Sequence, residues 1–92
     1  MSTQREKIEI AKIDENIFRV TVRELGTSSE HMVELDDEYY HKLAGSNITK
    51  MELVRLSFRF LLKREVKELI LDKFNLNMIS RYFPEYEDEV SV

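Results

Sequence analysis

Ninety-two residues with a net charge of −4 suit one domain, and a chain of this size removes about 60–65% of its unfolded surface from water, so it folds with little margin. Hydrophobic residues make up 42% and charged ones 35%, with two Gly and one Pro, which is too apolar for disorder and too poor in turn residues for a strand-rich barrel. The absence of Cys excludes disulfides, thiolate zinc sites and a thiol nucleophile.

The opening, MSTQREKIEI, is polar and lacks the apolar stretch of a signal peptide. No run approaches the roughly 20 apolar residues of a membrane span, so a cytoplasmic protein without membrane contact is expected. In KIEIAKI, Ile8, Ile10 and Ile13 mark a first strand, ending at Asp14-Glu15-Asn16. In IFRVTVREL, Phe18, Val20 and Val22 alternate with Arg19, Thr21 and Arg23, the period of a strand with one buried face. A loop, GTSS at 26–29, leads into HMVEL, where Val33 and Leu35 keep the alternation. Three antiparallel strands over about residues 8–35 are expected.

Helical patterning follows, over about residues 37–83. Asp36 or Asp37 caps a short helix through Tyr39, Tyr40, Leu43 and Ala44, and Gly45 stands just past its end. Thr49-Lys50-Met51-Glu52 has the T-x-x-E form of a capping box, in which hydroxyl and carboxylate satisfy two free amide donors. The main helix therefore starts near Lys50 and runs at least to Arg64 or Glu65. VKELILDKF continues it or restarts after a bend. Asn75 and Asn77 flank Leu76 as a stop and a new cap before MISRYF. Pro84 ends that segment, leaving residues 84–92 as an acidic, partly frayed tail. The expected architecture is α+β, βββααα: one domain over residues 1–92, with an N-terminal three-stranded antiparallel sheet packed on a long central helix with short flanking helices.

At about 100° per residue, Leu53, Leu56 and Phe60 share one side of the main helix. Val54, Phe58, Leu61 and Leu62 form a second apolar sector, and Arg55, Arg59 and Lys63 fill the remaining stripe. A helix apolar over more than half its circumference needs two covers. The sheet supplies one; the other is either the C-terminal segment with Phe74, Ile79, Tyr82 and Phe83 or a second subunit. Residues 1–49 carry six basic and ten acidic side chains, residues 50–73 seven and four, and residues 74–92 one and four. An acidic flank folded over the basic stripe would neutralise it internally. Otherwise the stripe is a solvated surface over apolar stems, or a phosphate-binding face.

Asp37 and His41, four apart, would share one helix face, with His31 and Glu34 on the preceding strand. Carboxylate plus imidazole moves protons or binds metals, but surface residues fall at this spacing often, and a structural metal site requires a fuller ligand set. Ser57, inside the helix, is expected to bond its own backbone. No catalytic residue, metal ligand, cofactor or small-molecule substrate is assigned, and a non-enzymatic protein is expected.

The strand, short helix and long helix of residues 30–65 resemble the ribbon-helix-helix arrangement of small bacterial repressors and antitoxins. That resemblance implies a dimer whose strand enters the major groove. Here the outward residues would be Glu30, Met32 and Glu34, poor DNA readers, SNIT replaces the usual Gly-x-Ser turn, and extra N-terminal strands are present. Over nearly its whole length the chain resembles small uncharacterised prokaryotic proteins, through H-x-V-x-L at 31–35, LVRLSFRFLLKRE at 53–65, the stretch from Ile70 to Phe74, and RYFPEY at 81–86. This similarity implies a shared fold and lends no catalytic residue. Proline at the position of Val66 in such proteins implies a bend there.

The functional expectation is a protein-interaction or regulatory module, binding a protein partner or itself as a homodimer through Arg55, Arg59, Lys63, Tyr82, Phe83 and Tyr86. The alternative is a nucleic-acid-binding regulator or antitoxin using Arg19, Arg23, Arg55, Arg59 and Lys63.

Overall fold

Strand alternation builds the sheet in two consecutive hairpins, β1 (Glu6–Asp14), β2 (Ile17–Glu24) and β3 (Thr27–Glu34), all antiparallel. The computed structural model describes residues 6–45 and 47–91; residues 1–5 of the polar opening, Ser46 of SNIT and Val92 lie outside the described residues. Val20 pairs with Ile10 and His31, and Phe18 with Val33, so one sheet face carries the apolar row and the other carries Arg19, Thr21 and Arg23. The second hairpin turns on Leu25 and Gly26, both at positive φ, the backbone of a two-residue hairpin loop whose twist matches the strands. Thr27, Ser28 and Ser29, expected in a loop, belong to β3.

The fold is α+β, with four strands rather than three. β4 (Lys73–Asn75) lies parallel to β3, giving the order β1-β2-β3-β4. The long central helix is also shorter than expected. The capping box forms, with Thr49 N–H donating to Glu52 Oε1 at 2.8 Å and Glu52 N–H to Thr49 Oγ1 at 3.1 Å, and it opens α2 (Lys50–Leu62). At the other end Arg64 and Glu65 N–H both turn back to the Leu61 carbonyl, Val66 is extended, and Lys67–Leu69 make a single 3-10 turn. VKELILDKF is therefore neither a continuation nor a new α-helix. Its helical spacing is overridden by the edge of β3, where Met32 N–H bonds the Asp72 carbonyl at 2.7 Å and the His31 ring bonds the Leu71 carbonyl at 2.8 Å. An unpaired strand edge next to the core exerts a stronger demand than local propensity.

The short helix α1 (Asp37–Ala44) is capped by Asp36, which accepts from Tyr39 N–H at 2.8 Å. Two short helices finish the chain, α3 (Ile79–Tyr82) and α4 (Tyr86–Val90). Residues 84–92, expected as an acidic tail, thus contain helix, and Tyr86 and Val90 are buried.

Both covers of α2 come from within the chain. Towards the sheet, Phe58 packs on His31 and Phe74, with ring centroids 5.4 and 6.0 Å apart. Towards the C-terminus, Phe60 packs edge-on against Phe83 at 5.8 Å and Tyr86 at 5.2 Å. Leu56, assigned to the first sector, stays partly in water. At the centre, buried Ser57 donates to the Leu53 carbonyl at 2.8 Å, so its oxygen accepts the Tyr86 hydroxyl at 2.6 Å. Arg64 lies 3.7 Å over the Phe60 ring and bonds Glu85 at 3.1 Å and Glu89 at 2.9 Å. Tyr39 donates to Glu87 at 2.8 Å, and Lys42 stands 3.4 Å from the same carboxylate. The acidic flank does fold over basic residues, but over Arg64 and Lys42; the stripe of Arg55, Arg59 and Lys63 is left out.

Tyr86→Phe should cost about 1 kcal/mol, one net hydrogen bond, because Ser57 retains its backbone acceptor. Tyr86→Ala should cost about 3–5 kcal/mol through the cavity it opens; urea unfolding with an unchanged slope measures both.

Burial pushes the Tyr39 and Tyr86 hydroxyls above their ordinary value of 10, and for Tyr39 the bond to Glu87 adds to it. A raised folded value means full stability below pH 10 and loss as pH rises through the folded values. The unfolding midpoint should therefore fall above pH 10, and less steeply in Tyr86→Phe.

Candidate interaction site

The basic stripe does not act as one surface. Arg55 is half-buried and its Nη1 donates to the Ile8 carbonyl at 2.7 Å, tying α2 to the outermost strand and occupying part of a sheet edge. Arg59 and Lys63 are exposed beside Glu6 and Leu62, around a shallow depression of about 120 Å³. Arg19 and Arg23 project from the opposite side of the sheet, where Arg23 bonds Glu9 at 3.2 Å and Thr21 pairs with Glu9 and Glu30. The five residues of the nucleic-acid alternative are split between two sides of the sheet, one committed to a carbonyl and one to a carboxylate.

Asp37 and His41 do not converge. The Asp37 carboxylate bonds Lys50, which holds it below the usual carboxylate range, and His41 Nδ1 lies 3.3 Å from the Gly45 carbonyl. His31 is buried, with Nδ1 at 2.8 Å from the Leu71 carbonyl and Nε2 at 2.8 Å from the Ser29 hydroxyl. Since a carbonyl only accepts, Nδ1 carries a proton, and the ring fastens β3 to the segment leading into β4. Glu34, on the same strand, is exposed. Among the described residues no group of three or more His, Cys, Asp or Glu is placed to hold a metal ion, and no helix is long and apolar enough to cross a membrane.

A larger concavity lies elsewhere. Where α2 ends, the 3-10 turn, β4 and α3 fail to close on one another, leaving an open groove of about 220 Å³. Leu69, Leu71, Phe74, Met78, Tyr82 and Phe83 line it, and the half-buried Glu65 supplies the one charged side chain among its lining residues. Leu69 is 67% exposed, Tyr82 64% and Leu71 50%. Tyr82 and Phe83, expected at an interaction surface, do line the groove. Tyr86, expected with them, is fully buried on Ser57 and cannot contribute. Arg55, Arg59 and Lys63 lie on the far side of α2 from Leu61, which forms the groove's inner wall.

A helical reading of VKELILDKF, continued or restarted, does not mark Leu69 or Leu71 as rim residues. A signal was available: Leu69-Ile70-Leu71 is a run of three large apolar residues, which neither a one-sided helix nor a one-sided strand can bury completely. Comparison with protein-family models, with curated proteins and with solved structures gives no match to this chain.

The division within the stripe has a measurable consequence. Arg55→Ala, which removes a charge-assisted bond to a strand carbonyl, should lower stability by about 1–2 kcal/mol, whereas Lys63→Ala should stay within about 0.5 kcal/mol. Thermal or urea unfolding of the two variants side by side distinguishes them.

Proposed function

We propose that this protein is a non-enzymatic interaction module whose protein partner seats an apolar side chain in the groove between the end of α2, the 3-10 turn and α3. The observation that carries this reading is the convergence of three largely exposed side chains, Leu69, Leu71 and Tyr82, on one concavity. Scattered surface leucines are ordinary; apolar side chains gathered round a concave wall are a docking feature. Size supports a side chain as the occupant. About 220 Å³ exceeds the roughly 150 Å³ that holds a benzene ring, yet falls short of the about 300 Å³ where small-molecule sites begin. Tyr82 at the rim offers the large amphipathic contact that interfaces favour. The nucleic-acid reading has no comparable support, because its arginines are divided and partly engaged.

A library of short random peptides displayed on phage and panned against the full chain should enrich sequences with one large apolar anchor. On binding, backbone amide NMR shifts should move within residues 65–83, and Leu69→Asp should weaken binding at least about tenfold while leaving the unfolding midpoint unchanged. Absence of enrichment, or binding insensitive to Leu69→Asp with shifts elsewhere, would sink the proposal.

A further inference from the structure

The two edges of the sheet are treated differently. β1, nine residues long, has a register irregularity between Lys12 and Asp14 and has Arg55 on the Ile8 carbonyl, both devices that discourage pairing with another chain. β4 ends the sheet on the other side. Its Asp72-side carbonyl faces β3, where it accepts from Met32 N–H. Backbone polar groups alternate in direction along a strand, so the Phe74 amide and carbonyl also face β3, and the Lys73 amide and carbonyl and the Asn75 amide face away, the Asn75 carbonyl opening the 3-10 turn Leu76–Met78. Among the described residues no other strand pairs with that side. The Lys73 side chain does not shield it, because its register partner is Met32 on the open sheet face.

The groove lies where a further strand would place its side chains. Its lining includes Phe74 of β4 and no residue of β1, β2 or β3, so it opens beyond the last strand. A strand added to β4 would run about 4.8 Å away, and its residue opposite Phe74 would put a side chain about 5 Å from the ring on the helix-facing side. That position is bounded by Leu71, Met78, Tyr82 and Phe83. Glu65 is half-buried in the same wall and makes no ion pair among the described residues; a half-buried carboxylate in an apolar wall favours a cationic neighbour.

We infer that the partner docks as an extended segment, hydrogen-bonded along the free edge of β4, with one apolar side chain beside Phe74 and a Lys or Arg against Glu65. The inference rests on the groove being a docking site and adds the form and charge of what it takes: main-chain bonds supply affinity and alternate side chains supply selectivity.

The test uses the tightest peptide selected from the random library, labelled with fluorescein, and the unmodified full chain. N-methylation at alternate peptide amides should weaken binding about tenfold where the amide pairs with β4 and leave it unchanged at the intervening positions. Glu65→Gln should weaken binding about threefold and flatten its salt dependence. Lys73→Pro, which removes an outward N–H, should abolish binding; the methylated peptides keep the test valid if that variant misfolds. Peptides that bind in the groove as helices, or that are indifferent to N-methylation, overturn the extended mode while leaving the docking site standing. Failure of every peptide to bind overturns both, and a dimer in light scattering that is broken by Lys73→Pro makes a second copy of this chain the occupant instead.

Discussion

A hydroxyl in the middle of α2 sets the terms for the rest of the molecule. Ser57 is completely buried between two apolar sides of its helix, and its oxygen must be satisfied by a group arriving from outside that helix or by its own backbone alone. Tyr86 supplies the group, and this contact fixes the register in which the C-terminal segment returns to the helix centre. That return brings Phe83 and Tyr86 onto Phe60 and holds Glu85 and Glu89 against Arg64. The sheet then covers the Phe58 side, and a chain with modest burial to draw on has both faces of its main helix protected without a partner.

Charge follows from the same geometry. The acidic last stretch is aligned on Arg64 and Lys42 because Tyr86 fixes where α4 lies. Glu85 is held below the usual carboxylate range by its own backbone N–H and by Arg64. These pairs are partly exposed to solvent and individually weak; they orient α4 around a position set by apolar contacts and the buried hydroxyl pair. The segregation of charge along the sequence is thus partly internal balance, with Arg59 and Lys63 left in water.

Much of this was visible in the sequence, and the misses share a cause. Strand alternation at Phe18, Val20 and Val22 and the Thr49–Glu52 box are local signals, and both elements form where they point. The need for two covers of α2 was also legible, since it depends only on helical periodicity. What local pattern could not supply was the claim of one element on another. β4 exists because β3 has an edge to satisfy, and Leu69, Ile70 and Leu71 fit helical spacing equally well until that edge is known. Tyr86 looked like a surface aromatic because its partner, Ser57, stands 29 residues away. The groove lies at the same junction, so Leu69 and Leu71 on its rim share that ambiguity, whereas Tyr82 and Phe83 are legible as surface aromatics.

The 3-10 turn carries a further conflict. Across three residues the expected distribution is inverted: the Lys67 side chain is buried, with its ammonium on Glu68, while Leu69 faces water. Burying a leucine stabilises by about 1.5–3 kcal/mol relative to exposing it, and burying a lysine stem with its charge is costly unless it is paired. A turn optimised for stability alone would place the two residues the other way round. Local choices that oppose the fold concentrate where a surface has another task, and this one holds Leu69 at the lip of the groove. The inversion is therefore a support for the proposed docking surface that does not depend on the groove's shape.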